Sequence, residues 1–152
     1  MGTTRTKPTT HVRYEEDLVA WTEKTAQLLR ERRFDEIDIE NLAEEVQAMA
    51  GRDRRELESR LAVILLHLLK WKYQPNQRSG SWHSTMRTQR RELRQLLRQS
   101  PTLKREVAAA VKEAYPDAMD DAAEETGLKV KTFPSDCPFS SEQILDRTYL
   151  PE

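Results

Sequence analysis

Leu61-Ala62-Val63-Ile64-Leu65-Leu66-His67-Leu68-Leu69 decides the fold, because His67 alone interrupts an otherwise apolar run. A helix that is apolar all round is surrounded by protein, so this segment predicts a central, buried helix over about Arg52 to Tyr73. Gln74-Pro75-Asn76 stops it, since proline restricts the residue before it and cannot continue the hydrogen-bond ladder. The unbroken part, Leu61 to Leu66, is far short of the roughly 20 residues that span a bilayer, so no membrane association is expected.

Around this centre the periodicity is three and four. Tyr14, Leu18, Trp21, Thr25, Leu28 and Leu29 share one face of a first helix. Ile39, Leu42, Val46 and Met49 repeat the spacing in a second, with Asp38 as its N-cap and Gly51 as its end or kink. After a polar loop over 76–81, a helix from about Ser81 to Gln99 carries Trp82, Met86, Leu93, Leu96 and Leu97 as its core stripe. Ser100-Pro101 reads as N-cap and first position of the next, which carries Leu103, Val107, Val111, Ala114, Ala118 and Ala122 and should be kinked or split at Pro116. Gly127-Leu128 reads as a glycine C-cap with its hydrophobic follower. Ser140-Ser141-Glu142-Gln143 is a capping box for a short last helix. No strand alternates. The expectation is therefore an all-α bundle of four to five main helices with a short C-terminal helix. Residues 1–13 form a disordered tail, 14–128 the bundle, and 129–152 a connector and short helix packed on it.

A chain of 152 residues is about one ordinary domain, and such a domain buries roughly 70% of its unfolded surface, so it needs no metal or disulfide staple. The single cysteine, Cys137, allows no intramolecular disulfide and predicts a reducing, cytoplasmic setting. The N-terminus lacks the apolar core of a signal peptide, although Met1-Gly2-Thr3-Thr4-Arg5-Thr6 fits the loose myristoylation pattern.

The net charge of −1 hides strong segregation. Residues 70–98 hold eight basic groups (Lys70, Lys72, Arg78, Arg87, Arg90, Arg91, Arg94, Arg98) against one acid, Glu92. Residues 35–45 and 113–125 hold six acids each and no Lys or Arg. At about 100° per residue, Arg87, Arg90, Arg91, Arg94 and Arg98 fall on one side of their helix, beside its apolar stripe. Such ridges commonly face water or an acidic neighbour. The functional alternative is a polyanion site, because the guanidinium fork makes two hydrogen bonds to one oxyanion. Lys72, Arg78 and the rings of Trp71, Tyr73 and Trp82 would extend it toward RNA or single-stranded DNA through base stacking. The sequence pI of 6.3 argues against bulk nucleic-acid affinity.

Chemistry-bearing motifs are sparse. There is no phosphate-cradling glycine loop, no nucleophile elbow and no metal-ligand cluster, and no cofactor or metal is expected. Arg60 and His67 lie two turns apart on one helix, nearly on the same face. That Arg-x6-His spacing resembles the motif of the HEPN ribonucleases. The resemblance implies His67 as general acid/base, Arg60 as phosphate ligand and a site built across a dimer. Otherwise His67 is a buried histidine with satisfied nitrogens.

A second resemblance covers the chain from about Tyr14 to its C-terminus. It rests on Ile39-Glu40-Asn41-Leu42-Ala43-Glu44-Glu45-Val46, His67-Leu68-Leu69-Lys70-Trp71-Lys72-Tyr73-Gln74-Pro75 and Ser81-Trp82. Gln89-Arg90-Arg91, Ser100-Pro101, Glu125-Thr126-Gly127-Leu128, Phe133-Pro134 and Cys137-Pro138 follow in order. Together these blocks resemble the bacterial family known as domain of unknown function 29. The resemblance implies an all-helical cytoplasmic protein and transfers no activity, substrate or cofactor. The expected function is a non-enzymatic helical module whose arginine-rich face meets an anionic protein or nucleic acid. The alternatives are the HEPN-like ribonuclease and a toxin–antitoxin or assembly component that uses the acidic helices. The sequence sets no oligomeric state.

Overall fold

The computed structural model describes residues 13–152, and among these there is no strand. The expected tail (except Arg13) and the Met1-Gly2 pattern lie outside the described residues. Five helices follow in order: α1 (Leu18–Arg30), α2 (Ile39–Tyr73), α3 (Gly80–Gln99), α4 (Val107–Thr126) and α5 (Ser141–Leu145). The chain is all-α, with four long helices and a short C-terminal one. None of the described helices is long and apolar enough to cross a membrane.

The chain divides into two compact units, Met1–Met49 and Ala50–Glu152. In the first, Asp17 caps α1 by accepting a hydrogen bond from the Ala20 N–H (2.9 Å). Asp38 caps α2 through the Asn41 N–H (3.2 Å), as expected. Trp21, Thr25, Leu28 and Ile37 are buried, and Tyr14 packs edge-on against Trp21 while its hydroxyl donates to Glu45 (2.7 Å). The apolar faces read from the sequence are present, but much of them is uncovered. Leu18 and Leu29 of α1 and Ile39, Val46 and Met49 of α2 are exposed.

The second unit holds the main core. Leu57, Leu61, Ile64, Leu65, Leu68 and Leu69 of α2 are essentially inaccessible, as the opening stretch predicts. Met86, Leu93, Leu96 and Leu97 of α3 belong to the same cluster, as do Val107, Val111, Ala114, Ala118 and Ala122 of α4. Alanine-rich spacing on α4 lets its backbone approach neighbours closely, while the leucines of α2 fill volume. Phe133, Phe139 and Ile144 bring the C-terminal segment into this core.

Three local expectations are revised. Gly51 does not end a helix, since α2 runs through it for 35 residues. A helical glycine costs only about 1 kcal/mol relative to alanine, which the buried run downstream readily outweighs. Pro116 does not split α4. It lies on the exposed side, as does Lys112 four residues earlier, so water can serve the carbonyl that proline leaves without a partner. Ser100-Pro101 opens a 3-10 turn, Pro101–Arg105, rather than α4, and the Ser100 hydroxyl donates to Asp53 on α2 (2.7 Å) instead of capping. The C-terminal signals hold: Gly127 sits in the left-handed region (φ 72°) at the end of α4, and Ser140 and Gln143 form the reciprocal capping box of α5.

Leu65→Ala, in the centre of α2, is expected to destabilise the protein by about 2–5 kcal/mol. Leu18→Ala, on an exposed face, should stay within about 0.5 kcal/mol of wild type. Thermal or denaturant unfolding compares the two.

Candidate anion-binding site

α3 starts where the Ser79 hydroxyl accepts from the Trp82 N–H (3.3 Å). Its buried positions 86, 90, 93 and 97 recur at four, three and four, which is one helical stripe. Arg90 therefore occupies the middle of the apolar stripe, not the flanking ridge where the sequence reading put it. It is 2% exposed. Its guanidinium is fully engaged by the C-terminal segment. Nε donates to the Ile144 carbonyl (2.9 Å), Nη1 to that of Tyr149 (2.9 Å) and Nη2 to that of Gln143 (3.1 Å). Gln143 and Ile144 lie in the last turn of α5, whose carbonyls lack helical partners and carry the negative end of the helix dipole. Burial pushes the Arg90 guanidinium below its ordinary value, and the nearby Asp146 carboxylate opposes that shift. Asp146 is itself held below the usual carboxylate range, chiefly by the Thr148 backbone N–H and hydroxyl.

This latch brings Arg147 to the α3 ridge. Arg87, Arg91, Arg94 and Arg98 lie within about 60° of each other on the helix, flanking the stripe, with Arg94 next to it. Ser84, Arg87, Thr88, Arg90, Arg91, Arg94 and Arg147 line a cavity of about 280 Å³. Five of the seven lining residues are arginines and none is acidic. Arg91 pairs with its neighbour Glu92 (3.2 Å), a partner outside the cavity lining. Arg94 is half-buried, and its Nη1 is fully buried with no hydrogen-bond partner among the described residues. A buried guanidinium N–H without an acceptor carries an uncompensated desolvation penalty, and a bound oxyanion would remove it. Arg98 is exposed on the same ridge, outside the cavity lining. Within the second unit no acid of 113–125 forms an ion pair with the ridge.

The remaining basic and aromatic candidates form a separate set. Lys70 is buried, ion-paired with Glu125 of α4 and placed 4.5 Å over the Trp82 ring. Arg78 lies 5.2 Å over the Trp71 ring and donates Nε to the Trp71 carbonyl (2.8 Å), while His83 adjoins the same ring. Tyr73 packs edge-on against Phe133, with Lys72 6.0 Å from its ring. These rings are half-buried and already hold cations or other rings, so they form no bare stacking platform.

Arg60 and His67 are each committed within the second unit. Arg60 donates Nε to Glu56 (2.9 Å) and Nη1 to Gln89 (3.0 Å). His67 Nδ1 lies 2.8 Å from the Val63 carbonyl. Burial holds the His67 imidazole below its ordinary value of 6.5, against the opposing effect of that carbonyl. Cys137 is half-buried with its thiol toward the Phe139 carbonyl, and burial raises it above the ordinary thiol value.

Sequence reasoning missed Arg147, Ser84 and Thr88 as site residues. Nothing periodic links Arg147 to α3; only the carbonyls flanking it, held by Arg90, bring it there. The place of Arg90 in the stripe could have been found from the 86/90/93/97 spacing.

Arg90→Met removes three charge-assisted hydrogen bonds and leaves buried carbonyls without donors. It should cost on the order of 3 kcal/mol and speed amide exchange through 143–149. Arg90→Lys should recover little, because one ammonium cannot reproduce the planar fork. His67 contributes stability that is complete above its ordinary value of 6.5 and is lost as pH falls through its lower folded value. Urea midpoints should therefore drop from about pH 7 to about pH 5, and the drop should be shallower in His67→Gln.

The sequence model of the family described as Domain of unknown function DUF29 matches residues 13–150 of this chain. No curated protein and no solved structure matches it.

Proposed function

The chain belongs to the DUF29 family, whose description assigns no activity, and from its own chemistry we propose a non-enzymatic interaction module that grips an anionic group of a partner in the arginine cavity. The observation that carries this reading is the cavity between α3 and the C-terminal segment: five arginines, no lining carboxylate, and a buried Arg94 Nη1 without an acceptor. Guanidinium groups bind phosphate and carboxylate through two parallel hydrogen bonds, and the Ser84 and Thr88 hydroxyls add neutral donors. Arg90 lines the cavity but its donors go to backbone, so its part is to hold the wall. Arg87, Arg91, Arg94 and Arg147 are the proposed ligands, and Arg98 adds attraction at longer range.

A cavity of about 280 Å³ suits one or two compact oxyanion groups. Together with the occupied rings of Trp71, Tyr73 and Trp82, this favours a phosphorylated or acidic protein segment over splayed bases. We also read the chain as a cytoplasmic protein, on the strength of its single thiol, Cys137.

Fluorescence titration with a phosphopeptide, an acidic peptide, a single-stranded RNA and pyrophosphate tests the proposal. The phosphopeptide should bind in a salt-dependent manner. Arg94→Ala should weaken it by about 10- to 100-fold, as expected for hydrogen bonds to a charged group. Arg147→Ala should act similarly, and Arg98→Ala only a few-fold. Absence of binding to every probe, or binding indifferent to Arg94→Ala, would overturn the reading. RNA cleavage that vanishes in His67→Ala would move the function to the Arg60–His67 pair instead.

A further inference from the structure

One wall of the arginine cavity is held in place by a single side chain. Among the described residues, every hydrogen bond that joins 140–152 to the long helices of the second unit comes from Arg90, through the carbonyls of Gln143, Ile144 and Tyr149. The buried Ile144 side chain and the edge-on Phe139–Tyr149 ring pair supply the apolar part of the grip. Arg147 lies inside the span that Arg90 holds. It is exposed and lines the cavity together with Arg87, Arg91 and Arg94 of α3. Docking the segment therefore carries a positive charge onto a positive ridge. Asp146, the acid of this turn, lies outside the lining and spends its Oδ1 on the Thr148 N–H and hydroxyl. Burial and the neighbouring Arg94 charge both hold the Arg90 guanidinium below its ordinary value. Without an anion, like charges oppose the docked state. With an oxyanion between α3 and Arg147, the same charges hold it together.

We propose that the bound anion locks the C-terminal segment: occupancy of the cavity and docking of residues 143–149 on α3 are coupled, each strengthening the other. This rests on the anion-site reading above and adds the regulation of that site. Opening the segment takes Arg147 away, so the open form keeps only the α3 part of the ligand set. The docked form then binds the anion more tightly by the factor that Arg147 contributes, and by linkage the anion favours docking by that same factor. Opening also withdraws Ile144, inaccessible when docked, from the core. The presence of an anion at α3 is thereby converted into order or exposure of the chain from Gln143 to Tyr149.

Hydrogen exchange of the full chain, with and without pyrophosphate at an ionic strength matched by sodium chloride, tests the coupling, and calorimetry reports binding in parallel. In saturating pyrophosphate, exchange through 143–149 should slow by about 10- to 100-fold, the affinity that Arg147→Ala is expected to lose. Arg147→Ala should have effects of opposite sign in the two conditions. Without pyrophosphate its segment should exchange a few-fold more slowly than wild type, because one of the like charges is gone. In saturating pyrophosphate it should exchange faster than wild type, because the anion no longer bridges to it. Arg147 is exposed within the chain, so the unfolding midpoint of the variant should stay close to that of wild type. A purely structural Arg147 would shift exchange in one direction under both conditions. Pyrophosphate binding with unchanged exchange through 143–149, or an Arg147→Ala effect of one sign throughout, would overturn the lock and leave the anion site standing. Absence of binding would overturn both.

Discussion

The guanidinium of Arg90 is the interaction on which the site depends. A cation within an apolar stripe is costly to bury, and here no buried carboxylate compensates it. Three backbone carbonyls do, two of them from the last turn of α5, where carbonyls lack helical partners. One planar group thus meets two needs at once: the charge is solvated by dipoles, and the chain end from Gln143 to Tyr149 is held against α3. Capping of α5 by Ser140 and Gln143 sets the other end of the same segment, and Ile144 anchors it in the core. The arginine cavity follows from this latch, since its outer wall, Arg147, lies between the held residues.

Charge segregation takes on a different meaning in three dimensions. Within residues 70–98 the basic groups divide by environment. Lys70, Lys72 and Arg78 are drawn to aromatic rings and, for Lys70, to Glu125 of α4. Arg87, Arg94 and Arg98 have no ion-pair partner among the described residues. Covering acids would have made the ridge an ordinary ion-pair network. A lining without carboxylates and a buried N–H without an acceptor leave the cavity with uncompensated positive charge, which a bound oxyanion would relieve.

The length of α2 produces the other notable surface. At 35 residues it is about 52 Å long, whereas α3 and α4, at 20 residues, reach only about 30 Å. The second unit buries the leucines from Leu57 onward, and the same 3–4 periodicity continues toward the N-terminus as Met49, Val46, Leu42 and Ile39. An apolar pattern that is core in one stretch of a helix is therefore open surface in another. The pattern alone is identical in both.

What the sequence by itself determined is what depends on near neighbours along the chain. The apolar run at Leu61–Leu69 required a central helix, Pro75 ended it, Gly127 closed α4, and Ser140 with Gln143 started α5. Each rests on periodicity or on a hydrogen bond spanning a few residues, so local order suffices to read it. Gly51 does not end α2 and Pro116 does not split α4, because the buried positions on either side outweigh a local penalty of a few kcal/mol at most. The tertiary structure alone decided which of five similar arginines is a core strut, because that depends on carbonyls more than fifty residues away in sequence. It also decided that Arg147 joins the ridge and that the Ile39–Met49 stripe faces outward. Burial is a property of what lies opposite a side chain, and no spacing rule along the chain contains it.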